Sequence, residues 1–254
     1  MSSGHAQPLY LHGTSPVHRL PVEVKIVCAV VTVFAVVATP REAFWAFAVY
    51  LAVLAVVWRL AGIALTWLAP RMLIELPFVT LALLLPFAEG GEQTTVLGLS
   101  LSVAGLHAAW GILVKGTLGV LVSLTLAATT PARDLPVGLA HLHVPAMFTT
   151  IVVLMLRYLD LLTSEVARMR TARLSRGDDP RTLRQIGATA QGVGGLFVRS
   201  YERGERVHLA MLSRGFTGAV PTVGAPPASA AAWSAGLVPA VCAVGICLAA
   251  WTLR

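Results

Sequence analysis

Arginine pairs with carboxylates through a planar fork of donors, and this chain sets two of its arginines in the same local sequence twice. The pattern is Arg-x-x-x-Ala-x-Leu-Ser-Arg-Gly. Arg168, Ala172, Leu174, Ser175, Arg176 and Gly177 recur as Arg206, Ala210, Leu212, Ser213, Arg214 and Gly215, 38 residues later at every matched position. The chemistry such residues can do is recognition of an acidic surface by a basic helix end.

Locally, Arg followed by Gly is a good way to finish a helix. Glycine after the last turn tolerates the left-handed conformation, and a cation there faces the negative end of the helix dipole. That need does not account for Arg168 and Arg206, each eight residues before the terminal arginine, slightly over two turns and so roughly on one face. Nor does it account for Ala172 and Ala210 between them, whose small size lets another backbone approach. Two such endings predict a bivalent basic docking surface for a partner with two equivalent acidic grooves, such as a dimer.

The elements that must carry these endings are set in an unusually apolar chain. Of 254 residues, 56% are hydrophobic and 12% charged, with a mean hydropathy of +0.76; an ordinary soluble domain is about 25% charged. One soluble core cannot bury that much apolar surface, so the composition predicts an integral membrane protein. No apolar core of a cleavable leader is visible in the first twenty residues, which are polar and carry His5, His12 and His18. The net charge of +7 is concentrated: eleven of the nineteen Lys and Arg residues lie between Arg157 and Arg214, and all eleven are arginine. Cationic loops stay on the cytoplasmic side, which predicts a cytoplasmic segment from Arg168 to Arg214. The Glu89–Glu92 loop, acidic and without cations, is expected outside.

Apolar runs are read at Ile26 to Ala38, Phe44 to Leu68, Met72 to Ala88 and Val96 to Ala128, the last broken near Lys115–Gly116. About 20 residues suffice to cross a bilayer, and Arg59, near the end of the second run, can reach the headgroups. From Met147 an apolar stretch turns cationic without a breaker, predicting one long helix ending at Gly177. Asp178 to Pro180 reads as the start of a second, running to Gly215. A Pro/Gly/Ala linker then leads to a final run, Leu237 to Leu253. Four spans before the Arg-rich segment, with the Met147 helix at the cytoplasmic face, keep both the N-terminus and that segment cytoplasmic. Six do so if the long run splits at Lys115 and the Met147 segment crosses. The expected organisation is 1–143 as the first membrane helices, 144–216 as the helices with the two Ser-Arg-Gly endings, and 217–254 as linker and last span.

Other chemistries find little support. A phosphate loop needs Gly-x-x-x-x-Gly-Lys-Ser/Thr, and neither lysine, Lys25 or Lys115, follows a glycine. The run at Gln191 to Gly195 is glycine-rich but falls inside the second long helix, as a flexible or close-packed stretch. His141, His143, His107 and His208 have no ligand spacing, and the N-terminal histidines make at most a loose site. Arg71 with Glu75, and Arg157 with Asp160, read as pairs within a helix. Cys28, Cys242 and Cys247 read as small apolar residues.

The two helices ending in a small residue, Arg and Gly resemble the transmembrane T component of energy-coupling factor (ECF) transporters. The usual triplet of that family is Ala-Arg-Gly; here it is Ser-Arg-Gly twice. "SPVHRL" before the first span, "ELPF" at Glu75 to Phe78, "TTP" at Thr129 to Pro131, "LRYLDLL" from Leu156 and "ERGERVHLAMLSRGF" resemble its cobalt branch, the CbiQ type. The resemblance implies an all-α integral membrane protein of about five transmembrane helices plus two long cytoplasmic coupling helices, in the inner or plasma membrane of a prokaryote. It implies that Ser175, Arg176, Gly177, Ser213, Arg214 and Gly215, with Arg168, Arg206, Ala172 and Ala210, dock two ATP-binding subunits. Closure of those subunits would be passed to a separate substrate-binding membrane subunit for cobalt or nickel. On this reading the chain is a scaffold with no catalytic residue, metal site or cofactor and no nucleic-acid partner. The alternative from composition alone is a membrane-anchored protein binding anionic lipid or nucleic acid through its Arg-rich helices.

Overall fold

The computed structural model of the chain describes residues 9–88, 93–96, 99–177, 186–220 and 226–253. The chain divides into two compact units, one formed by Leu9–Gly138 with Ala225–Arg254 and the other containing Leu139–Gly224.

In the first unit a short helix α1 (Pro16–Arg19), capped by Ser15, leads to α2 (Val22–Ala38) and α3 (Phe44–Ala61). The apolar run expected to continue from Phe44 to Leu68 is interrupted. Gly62 adopts the left-handed conformation (φ +70°) and ends α3, and the chain re-enters helix as α4 (Leu65–Leu68), a 3₁₀ segment Ala69–Glu75, and α5 (Leu76–Ala88). An antiparallel hairpin follows, β1 (Gln93–Val96) on β2 (Leu99–Ser102), with Thr94 opposite Leu101. Thr94, Thr95 and Val96 are residue types that favour strands. The next helix, α6 (Val103–Thr129), therefore starts seven residues after Val96, capped by the Ser102 hydroxyl, which accepts from Gly105 N–H. It runs unbroken through Lys115–Gly116, which corrects the expected interruption there. A 3₁₀ turn, Ala132–Asp134, and α7 (Leu135–His141) follow, and after the second unit the chain returns as α10 (Ala230–Gly236) and α11 (Val238–Thr252).

Among the described residues, four helical segments are long and apolar enough to cross a membrane: Phe44–Ala61, Leu65–Pro86, Val103–Thr129 and Ala146–Ser175. The bent pair α10–α11 makes a fifth if counted as one span. At 17 residues, α2 is at the short end of the range for crossing. The chain is thus a helical integral membrane protein. Its interior and exterior are arranged accordingly. Where helices meet, small residues allow close approach, with Ala46, Ala128, Ala240 and Ala243 fully buried. Phe47, Tyr50, Leu54, Trp58, Leu118 and Val122 fill the space around them. The outward faces carry Phe34, Val56, Leu83 and Leu84, all exposed.

Many buried polar groups are bonded within the unit, as the absence of water favours, although Glu75 Oε1 and Thr130 Oγ1 are buried with no hydrogen-bond partner among the described residues. The Tyr50 hydroxyl donates to the Ala243 carbonyl (3.0 Å) and meets Thr39 Oγ1 (2.9 Å). Trp58 Nε1 donates to Thr125 Oγ1 (2.8 Å). Lys25 Nζ donates to the carbonyls of His18 (3.0 Å) and Thr129 (2.8 Å), tying the start of α2 to the end of α6. The pair expected between Arg71 and Glu75 takes another form. Arg71 lies over the Trp67 ring and donates to the Trp67 carbonyl, while Glu75 accepts from Thr117 Oγ1 (3.1 Å) on α6. A partner on the neighbouring helix, close beside Gly116, wins over one a turn away.

The second unit is built on two long helices, α8 (Ala146–Ser175) and α9 (Ile186–Leu212). The start expected for the second of these, at Asp178 to Pro180, lies outside the described residues, as do Glu89, Glu92 and His5.

Candidate functional site

The first half of α8, Ala146–Leu162, is mostly apolar, with Arg157 and Asp160 its charged residues; the second half is richer in charge. α9 sets Val193, Phe197 and Tyr201 in one stripe at spacings of four, all exposed. The helices run antiparallel. Glu165 on α8 meets Arg199 on α9 (3.8 Å), while eight residues further along α8 Arg173 donates to Thr189 Oγ1 (3.0 Å), ten residues earlier on α9. Between these contacts Gly192 faces the Met169 side chain; a Cβ placed there would lie 3.5 Å from Met169 Cε. The glycine-rich stretch at Gln191 to Gly195 is helical, as expected; Gly192 lies at the helix contact, while a Cβ at Gly194 or Gly195 would meet open space. A groove of about 240 Å³ lies alongside, lined by Met169, Arg170, Arg173 and Val193 among others. At the other end of the pair, Thr150 Oγ1 accepts from Val220 N–H (3.2 Å), anchoring the segment that follows α9.

The two repeated endings adopt the same local structure. Arg176 N–H donates to the Arg173 carbonyl and Gly177 N–H to that of Leu174, both at 3.0 Å. Arg214 N–H donates to the Met211 carbonyl and Gly215 N–H to that of Leu212, again at 3.0 Å. Gly177 and Gly215 have φ of +80° and +81°, the left-handed values a side chain would strain. At the second ending Phe216 N–H returns to the Met211 carbonyl, completing a Schellman motif. The second long helix thus ends at Leu212, with Ser213–Arg214–Gly215 forming the turn that closes it.

Side chains repeat as well. The Ser175 hydroxyl donates to the Ala172 carbonyl and the Ser213 hydroxyl to that of Ala210, both at 3.0 Å. Each serine therefore satisfies its own hydroxyl and presents little beyond its small size. Arg176 and Arg214 are exposed, and among the described residues neither has an ion-pair partner. They cap antiparallel helices and so lie at opposite ends of the pair. The 27 residues of α9, at about 1.5 Å each, put roughly 40 Å between them.

Arg168 and Arg206 behave differently from the terminal arginines. Arg168 donates to Glu165 (2.6 Å) and Arg206 lies 3.9 Å from Glu202, so each is engaged by an acid on its own helix. Glu165 and Glu202 were not among the expected site residues, although their spacings of three and four before an arginine signal such pairs. Arg157 and Asp160, expected to pair, form no ion pair among the described residues. His208 is exposed and sets its ring edge-on to Phe216 (6.5 Å). In the first unit, both ring nitrogens of His18 are engaged, with Ser15 Oγ (2.7 Å) and the Leu11 carbonyl (3.0 Å). No cluster of three or more metal-ligating side chains occurs among the described residues.

Comparison with known proteins agrees with this architecture. Residues 13–223 match the family model of CbiQ, described as cobalt transport protein. The cobalt transport protein CbiQ of Rhodobacter capsulatus is 28% identical over 180 residues, covering 69% of this chain and 74% of that protein. An uncharacterized protein of Methanocaldococcus jannaschii is 32% identical over 115 residues, 43% of this chain and 42% of that protein. With most of its length matched by that model, the chain belongs to the CbiQ family of cobalt transport proteins.

Proposed function

We propose that this membrane component of the cobalt transport family is the coupling subunit of an ATP-driven ECF importer for cobalt or nickel. Segment 144–216 is its coupling element, Arg176 and Arg214 anchor two ATP-binding subunits on the cytoplasmic side, and a separate membrane subunit binds the ion. One observation carries the reading: two exposed Ser-Arg-Gly endings with the same backbone geometry stand roughly 40 Å apart at opposite ends of one helix pair. A helix stop alone does not call for a solvent-facing guanidinium at both ends. Each guanidinium can form a planar, two-pronged pair with a carboxylate. Linking two such contacts on one scaffold makes the second largely intramolecular.

The test is Arg176→Glu combined with Arg214→Glu, in a chain co-expressed with the ATPase and ion-binding subunits. The variant inserts into the membrane but captures no ATPase and supports no cobalt or nickel uptake. Intact assembly in that variant would overturn the docking role and leave Arg-Gly as a helix stop.

A further inference from the structure

Although consecutive in sequence, α2 and α3 do not pack along each other. Both pack on α6 and α11, and a crevice of about 610 Å³ remains between them. α2 lines it through Lys25, Ala29, Thr32 and Val36, α3 through residues that include Val53 and Val57, and α6 and α11 contribute most of the rest. Between Lys25 and Val36 it follows 11 residues of α2, about 16 Å at 1.5 Å per residue. Its volume is in the range of small-ligand sites.

The lining specifies what fits. Its hydroxyl groups are already spent: Thr32 donates to the Cys28 carbonyl, Tyr50 to Ala243, Thr125 to Leu121 and Thr129 to Thr125. An occupant along the length of the crevice therefore meets hydrocarbon and needs no hydrogen bond. The exception is Lys25, at one end. Its ammonium has three protons, and two are taken by the carbonyls of His18 and Thr129. These acceptors are neutral, and among the described residues no carboxylate lies within ion-pair distance of the ammonium, the Asp134 charge acting on it only through space; a negatively charged ligand at this end would complement it. Helices α3 and α6, which flank the crevice, are long and apolar enough to cross the membrane, and the molecules around them are lipids.

We propose that the crevice holds an acyl chain of an anionic phospholipid, with the phosphate-bearing head at the Lys25 end. The bound chain fills the gap between α2 and α3 and makes the bundle around α6 and α11 continuous. This site is independent of the docking role of the helix ends.

The full chain, reconstituted in nanodiscs, is irradiated with phosphatidylglycerol carrying a diazirine in its acyl chain, and separately with the matching phosphatidylcholine. Labelled peptides are mapped by mass spectrometry. Labelling is expected on the crevice residues of α2, α3 and α11, with a preference for phosphatidylglycerol of roughly fivefold, the factor one additional cation contact brings. Ala29→Trp, or Val57→Phe from the opposite wall, removes this labelling and leaves that around the outward-facing Phe34. Lys25→Met brings the two lipids level. Crevice labelling that survives both filling variants, equal labelling by the two lipids in the unmodified chain, or labelling only by a free photoreactive fatty acid would each overturn the proposal. So would cross-linking of the crevice to another membrane protein in place of lipid.

Discussion

The two units of this chain handle polar groups in opposite ways. In the Leu9–Gly138 and Ala225–Arg254 unit many are buried and bonded internally: Tyr50 to Ala243, Trp58 to Thr125, Lys25 to two carbonyls, and Glu23 Oε1 to Ala228 N–H at 2.7 Å. In the unit built on α8 and α9 the buried polar residues on those helices are Thr149 and Thr150, and the arginines are spread over exposed surface. The first is a core held by its own contacts. The second has little interior, and its contacts with Arg199, Thr189 and Gly192 position a surface without enclosing one. Substitutions should therefore act on stability in the first unit and on assembly in the second.

The largest effect expected on that contrast is Trp58→Ala, which empties a buried site and removes the indole donor to Thr125. It should lower the unfolding free energy in detergent by roughly 3–5 kcal/mol. Phe197→Ala, the removal of an equally apolar but 70% exposed ring on α9, should change it by less than about 0.5 kcal/mol. Comparable losses for the two would break the comparison. Next come the single changes Arg176→Ala and Arg214→Ala. Each should weaken ATPase capture by roughly 2–5 kcal/mol without shifting the melting temperature, and Lys at either position should recover only part of the binding. Titration of purified ATPase against each variant measures this.

Tyr50→Phe tests a single internal hydrogen bond and should cost about 1 kcal/mol of stability, read from the same detergent unfolding curve. Smallest of all should be Arg168→Ala and Arg206→Ala. Exposed pairs with acids on the same helix contribute a few tenths of a kcal/mol, so neither should move the melting temperature. If either weakened ATPase capture as strongly as Arg176→Ala, the docking surface would extend two turns along the helix.

The membrane helices and the helix endings were legible in the sequence because both follow from local chemistry. Apolar length announces a span, and Arg-Gly announces a C-terminal cap with its left-handed glycine. The features that escaped depend on neighbours distant in the chain. Nothing in an apolar string marks Gly62 as a break, because the flanking Ala61 and Ile63 are as hydrophobic as what precedes them. Lys115–Gly116 looks like an interruption, yet Lys115 Nζ finds the Val37 carbonyl (2.7 Å), and α6 continues. Glu75 was assigned to Arg71 by helical spacing, but the segment is a 3₁₀ turn at that point and Thr117 comes from another helix. The departure from the family triplet is also explained only by geometry: with its hydroxyl bonded back to Ala172 or Ala210, serine serves as a small residue much as alanine would.

An antiparallel helix pair with the same ending on both members has a local two-fold axis across its middle. Here the 38-residue repeat places Arg176 and Arg214, and Gly177 and Gly215, at positions related by that axis. Dimer interfaces usually acquire such symmetry from a second copy of the chain. This chain carries it within a single polypeptide, so one subunit can face a symmetric pair of partners without itself dimerising. The symmetry stops at side chains such as His208, which stands where the other repeat has Arg170. Two otherwise identical partners would meet surfaces alike in backbone and unlike in charge.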